Sequence, residues 1–402
     1  MSNTNKKNII AKTLSAIEEA KCDKYVKEFF ENKDYWHGDR IRSCMSEASY
    51  YMLMGTRGPG KSTDTTAYFL KRAWEEQNFE FGYVRRWDVD TKDSTVTRYF
   101  GKALSEFVYN LTYHEYDCVV CFRQDLYFAK TVDRKIVRGR RIGSVFALNN
   151  SSHYKSLHWD NINDYILEEF IEENGRYLPN EPKLLQELSS TIFRERAKIP
   201  GKTHIYLIGN TLSRNCPYFN EWGLTSVRKM KAGDINKIVT HGVDSKGNPY
   251  DIQIAVEMCV SEAQGSLMAI GQRSASINAY EVWTGERHPC LYWDKMKDEY
   301  DTLYDVEICD SDFSFIMKLL INNETSNLVL YVYPNSRNHE AASGRKITSE
   351  FSEDMMTTRR LNRKNKAEAI MVDLLNDGKV YYSDNLTGDD FESVIKNKRG
   401  GI

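Results

Sequence analysis

The eight residues Gly55-Thr56-Arg57-Gly58-Pro59-Gly60-Lys61-Ser62 constrain this chain more than any other stretch, because they fit G-x-x-x-x-G-K-[ST] and their flanks fit it too. Tyr50–Met54 is a short apolar run of strand type, and Thr63–Glu76 spaces its apolar residues at helical period. A strand, a glycine loop and a helix are what phosphate binding requires. The glycines let backbone N–H groups close around phosphate oxygens, and the helix N-terminus adds a favourable dipole. Lys61 then neutralises the β/γ oxygens and the Ser62 hydroxyl ligates Mg²⁺. Residues 55–63, with Thr63 opening the helix, are the expected nucleotide-binding set, and ATP and Mg²⁺ the expected cofactors. A chance glycine turn of this pattern arises on the order of 1% of the time in a chain of this composition. The flanks make it rarer.

Such a loop needs an acid at the end of a neighbouring strand for the magnesium shell, and hydrolysis needs a base for the attacking water. Tyr165-Ile166-Leu167-Glu168-Glu169-Phe170 ends an apolar run with two carboxylates. Glu168 is expected on the magnesium side and Glu169 on the water, although the first position, a Glu rather than the commoner Asp, leaves the division of roles open. Their alternative is to open an acidic surface helix running through Glu172 and Glu173. A second buried strand, Ile205–Thr211, ends in Asn210 and Thr211, which would sit beside the γ-phosphate. Leu184–Arg196 reads as an amphipathic helix whose basic end offers Arg196, with Arg194 as fallback, as an arginine finger for a neighbouring subunit.

Composition excludes other classes. The 402 residues carry a formal net charge of -2, so nucleic-acid contact must come from local basic patches rather than overall charge. No apolar run approaches the roughly 20 residues that span a bilayer, and the N-terminus lacks signal-peptide character, which predicts a soluble, cytosolic protein without a membrane partner. Cys118 and Cys121 have C-x-x-C spacing but no second pair, and read as buried structural thiols.

The segments GTRGPGKST, FGYVRR (Phe81–Arg86), SVFALNNSSHYKSL before YILEEF, and YLIGNT together resemble the DNA-packaging (encapsidation) ATPases of small tailed phages, relatives of terminase large subunits. The resemblance covers roughly Cys44–Pro217. It implies ATP hydrolysis coupled to translocation of double-stranded DNA, in a homo-oligomeric ring, expected to be a pentamer, docked on the portal of a procapsid in the host cytoplasm. A structural RNA is a further candidate partner. Another nucleic-acid-dependent P-loop ATPase, a helicase or loader, is the alternative, and a small-molecule kinase a third class.

Strand and helix patterns alternate through residues 49–228, which predicts an α/β fold: a doubly wound, mostly parallel sheet of the P-loop (ASCE) type. The expected division is 1–217 as the ATPase domain, 218–250 as a glycine-rich lid or linker, and 251–402 as a smaller α+β domain. By the resemblance that second domain is RNase H-like and vestigial, with Asp310, Asp312 and Asp373 as candidate nuclease acids that no spacing singles out. Cys118–Leu148 reads as an inserted antiparallel region with an excess of cations. Arg134, Lys135, Arg138, Arg140 and Arg141 on it are candidate DNA contacts, able to track phosphates without reading sequence. Lys155, in the acid-free segment Asn149–His158, is the candidate for a grip that releases each cycle. Arg359–Lys366 is a second basic run, for nucleic acid or an acidic portal surface.

Overall fold

The computed structural model describes residues 3–260 and 288–397, apart from 57, 59, 102–103, 156, 173–175, 195, 197–200, 212–213, 215, 244–248, 311–312, 336–340, 349–356 and 359. Arg57, Pro59, Glu173, Asp312 and Arg359 therefore lie outside the described residues. The chain separates into two compact units, one formed by residues 1–170, 178–210 and 230–265 and the other by 171–177, 211–229 and 266–402.

The first unit runs α1 (Asn3–Glu31), α2 (Asp39–Cys44), β1 (Tyr50–Gly55), α3 (Lys61–Glu75), β2 (Glu80–Arg85), α4 (Asp93–Phe100), α5 (Ser105–Leu111), β3 (Cys118–Phe122), β4 (Asp125–Val132), β5 (Lys135–Ala147), β6 (Ile162–Glu168), α6 (Glu181–Phe193), β7 (His204–Asn210), β8 (Ile235–Val243) and β9 (Pro249–Met258). Its nine strands lie in the order β3-β4-β5-β2-β6-β7-β1-β9-β8. The six from β5 to β9 in that order are mutually parallel, and β3, β4 and β8 add antiparallel edges. Strands covered on both faces have no polar side to show, so β1 and β6 read as near-continuous apolar runs. Met52, Leu53, Tyr165, Ile166 and Leu167 are fully buried. Helix α3 packs through Thr66, Phe69, Leu70 and Ala73, the i, i+3, i+4, i+7 stripe that faces a sheet. Beneath it the Tyr51 and Tyr206 rings stack at 4.6 Å and Phe69 meets Tyr206 edge-on at 5.1 Å.

Two expectations change here. Residues 235–258 are neither lid nor second domain: β8 and β9 form a hairpin, and β9 pairs in parallel with β1 from Tyr50 to Met54. β8 is the sheet's edge strand, and its one full charge, the exposed Lys237, discourages pairing with another chain. The region after Cys118 is also more than an inserted hairpin. The far half of β5, Gly143–Ala147, is a member of the parallel core beside β2; its near half pairs with β4 alone, and beyond Ala129, where β3 ends, β4 and β5 project as a two-stranded ribbon.

The second unit contains α7 (Pro217–Glu221), α8 (Trp293–Glu299), β10 (Tyr300–Asp310), β11 (Phe313–Asn322), β12 (Leu328–Pro334), β13 (Lys346–Thr348), β14 (Thr357–Thr358), α9 (Lys366–Asn376), β15 (Val380–Tyr382) and α10 (Asn385–Asn397). Its sheet has the order β14-β13-β10-β11-β12-β15: a central antiparallel meander widened on both sides by parallel strands. Helices α9 and α10 cover it through Met371, Phe391 and Val394 over Phe315, Met317 and Val332. Of the candidate nuclease acids, the two described ones sit on different elements. Asp310 ends β10, whereas Asp373 is exposed on α9 and 3.8 Å from Arg363. Among the described residues no group of three His, Cys, Asp or Glu side chains could hold a metal.

Candidate nucleotide site

The site forms at the carboxyl ends of β1, β6 and β7. Gly55 ends β1 at φ +151, and a Cβ there would stand 2.4 Å from the Cys259 carbonyl oxygen. Gly60 precedes α3 at φ +97, a conformation that suits glycine. The N-terminus of α3 borders a pocket of about 280 Å³. Tyr35, Gly58, Lys61, Ser62, Thr63, Glu168, Glu169 and Asn210 line it, so the described glycine-loop residues, the acidic pair and Asn210 come together.

Lys61 is buried, and its ammonium donates to the carbonyls of Gly55 (3.3 Å) and Thr56 (2.7 Å) and to Asn210 Oδ1 (3.4 Å). Burial holds its pKa below the ordinary lysine range. These acceptors are neutral, whereas a phosphate oxygen is charged and binds an ammonium about twice as strongly. Ser62 Oγ donates to Glu168 Oε2 at 3.0 Å. A hydroxyl and a carboxylate converging within a hydrogen bond make a hard, all-oxygen donor pair, which fits magnesium. That contact favours Glu168 over Glu169 for the metal side. Burial pushes the Glu168 carboxyl up, opposed by hydrogen bonds from Tyr99 and Ser62 and by the Arg85 charge.

Glu169 differs from Glu168 in backbone and exposure. Its φ is +57, so the chain leaves the strand axis there, and its side chain reaches Arg85 Nη2 at 3.0 Å. Arg86 fixes that departure from beneath. Its buried guanidinium is bidentate to Glu181 (2.7 and 3.0 Å) and donates to the carbonyls of Glu169 (3.0 Å) and Phe170 (3.1 Å). The acidic pair is thus a strand end clamped by arginines, and among the described residues no helix begins at Glu168, against the alternative that the pair opens an acidic surface helix. The roles of Arg85, Arg86 and Tyr99 were not read from the sequence. The one signal for the arginines was a strand ending in two adjacent cations, too costly to bury without partners.

The remaining predicted residues divide. Arg196 is engaged within its own chain: its guanidinium donates to the carbonyls of Trp159 (2.6 Å), Ile162 (3.0 Å), Ile192 (2.8 Å) and Asp160, so a role as a finger would require giving these bonds up. Arg194 is exposed and donates to the Leu157 carbonyl at 3.0 Å. On the β4–β5 ribbon, Arg141 pairs with Glu80 (2.8 Å) and Asp125 (3.1 Å), and half-buried Arg140 packs near Trp74 and Phe128. These two brace the ribbon's root and are poorly placed as DNA contacts. Arg134, Lys135 and Arg138 are exposed towards its tip. Lys155 is exposed and 3.8 Å from Glu187. Cys118 and Cys121 are free thiols; burial raises Cys118 to about 12 and raises Cys121 as well, as structural cysteines should be.

A family model described as podovirus DNA encapsidation protein (Gp16) matches residues 35–231. The DNA packaging protein of Bacillus phage phi29 is 28% identical over 169 residues, 42% of this chain and 44% of that protein. The DNA packaging protein of Bacillus phage B103 is 29% identical over 188 residues, 46% of this chain and 49% of that protein. The chain therefore spans about half the length of the curated relatives it matches. Among solved structures, the bacteriophage phi29 viral genome packaging motor assembly shares the fold at TM-score 0.53 and 18% identity, with 91% of this chain and 100% of that chain covered. Residues 35–231, just under half of the chain, are thus similar to the podovirus DNA encapsidation protein family.

Proposed function

We propose that this chain hydrolyses ATP to drive double-stranded DNA through the portal into a preformed procapsid, as a ring of identical subunits. The observation that carries this reading is the Ser62–Glu168 hydrogen bond, set between buried Lys61 and the clamped Glu169 in a chain similar to the encapsidation family. In this reading the loop amides and Lys61 hold the β- and γ-phosphates. Ser62 and Glu168 hold magnesium, which supplies charge neutralisation at the phosphates when bound. Glu169 takes the proton of the attacking water, and Arg85 sets where its carboxylate points. Asn210, 3.4 Å from the lysine, is placed to respond to loss of the γ-phosphate. The second unit, with its meander sheet, is read as nuclease-like in fold without a working metal centre. A five-subunit ring and a structural RNA partner complete the reading.

ATP turnover measured with the protein alone, with added duplex DNA, and with DNA plus portal-bearing procapsids tests it. The reading requires stimulation that is largest in the last case. Equal stimulation by DNA with or without procapsids would instead favour a helicase or loader. No response to DNA in any form would rule out both.

A further inference from the structure

Helix α4 touches the site at one end and the basic ribbon's root at the other. Near its C-terminal end the half-buried Tyr99 donates its hydroxyl to Glu168 Oε1 at 2.5 Å, opposite the oxygen that Ser62 uses, and lies 3.3 Å from Thr66 Oγ1. The ring packs against Tyr83 at 4.8 Å and Phe100 at 5.1 Å, so its placement does not depend on the hydroxyl. At the other end of α4, the Asp93 carboxylate accepts the backbone N–H groups of Arg123 (2.8 Å) and Gln124 (3.2 Å). Thr97 Oγ1 accepts the N–H of Cys121 at 3.0 Å. Arg123 and Gln124 both have positive φ, +52 and +64, and form the tight turn joining β3 to β4. Two adjacent non-glycine residues in that region are costly, and the turn depends on outside donors and acceptors to hold it.

We infer that Tyr99 is a positioning residue for the magnesium carboxylate, and that α4 carries the state of that carboxylate to the Arg123–Gln124 turn at the root of the ribbon. The inference rests on the P-loop reading above and deepens it. A carboxylate has two oxygens, and each has one hydroxyl partner here. A Ser62 lone pair given to a metal would leave its O–H free to keep donating to Glu168 Oε2, and the Tyr99 hydroxyl on Oε1 is the second bond that keeps the carboxylate aimed. Any shift of Glu168 is then taken up by Tyr99. Six helical residues, about 9 Å, separate Tyr99 from Asp93, a distance over which one short helix moves as a rigid piece. The β3–β4 turn in turn leads into β4, the strand that forms the ribbon with β5.

The test is a magnesium titration of ATPγS binding by the full chain, combined with amide hydrogen exchange at Arg123 and Gln124. Tyr99→Phe keeps the ring and removes the bond. It should bind ATPγS in EDTA within about twofold of the parent, yet need on the order of tenfold more magnesium for the metal-dependent gain in affinity, the scale of one lost hydrogen bond to a charged group. In the parent, exchange at Arg123 and Gln124 should change when magnesium and ATPγS are added, and in Tyr99→Phe that response should vanish. Asp93→Asn should keep the parent's magnesium midpoint and lose the turn's response. A parent midpoint in Tyr99→Phe, or a turn indifferent to magnesium nucleotide in the parent, overturns the inference while leaving the P-loop reading intact. Failure of the parent to bind magnesium nucleotide at all overturns both.

Discussion

At the scale of single residues, the site separates phosphate binding from chemistry. Lys61→Ala should lower ATP turnover at least about a hundredfold, the usual loss on removing a charge-stabilising group, with the far-ultraviolet spectrum unchanged. Glu169→Gln should retain magnesium nucleotide while turnover drops by roughly 10²–10⁴. Glu168→Gln should weaken binding only when magnesium is present. Exchange of those two phenotypes would show that the Ser62–Glu168 contact misassigns the metal side. Arg86→Ala leaves the Glu181 carboxylate buried without its guanidinium, and should destabilise the first unit by about 3–5 kcal/mol in urea unfolding. The glycines, Lys61, Ser62, the two glutamates and Asn210 were legible because each is required locally, by a turn, a charge or a strand end. Tyr99, Arg85 and Arg86 were not, because their partners Glu168, Glu169 and Glu181 lie about 70 to 95 residues away and nothing local marks the pairing.

At the scale of elements, patterns of period and charge served unevenly. Strands β1, β2, β6 and β7 stood out as apolar runs bounded by turn residues. The β8–β9 hairpin was misplaced because its glycines and charges read as linker, although β9 buries Ile254–Met258 beside β1. The ribbon was recognised as basic, but its sequence could not say which cations face inward. Glu80, from a different strand, decides that for Arg141. The three exposed cations Arg134, Lys135 and Arg138 are the better DNA candidates. Replacing all three with Ala should weaken duplex binding and reduce the slope of log affinity against log salt by about 0.9 for each phosphate that is no longer neutralised. Lys155→Ala, tested in the same salt series, distinguishes the ribbon from the loop that follows β5. That loop begins against the site, with Asn149 N–H donating to the Arg86 carbonyl at 3.1 Å, so it too has a route to feel hydrolysis. An unchanged salt slope in both variants would remove both from the DNA path.

At the scale of the whole molecule, the two units carry different chemistry. The second holds a half-buried histidine, His288. Burial alone would lower its pKa, but hydrogen bonds to the carboxylates of Asp389 (2.8 Å) and Glu392 outweigh burial and raise it to about 9. The charged form is therefore favoured by folding. Its contribution to the second unit's stability is full below about pH 6.5, declines as pH rises, and is lost above about pH 9. His288→Asn should flatten that unit's pH–stability curve between pH 6.5 and 9, and a curve of unchanged shape would deny the pairing. The first unit carries the proposed motor chemistry, and the account stands or falls on whether its site drives DNA movement. The most direct measurement is the amount of duplex DNA that becomes protected from DNase inside portal-bearing procapsids when ATP is supplied. The account predicts protection with the parent chain and none with Glu169→Gln, which still binds magnesium nucleotide. Protection by Glu169→Gln at the parent's level, or none by the parent, would contradict it.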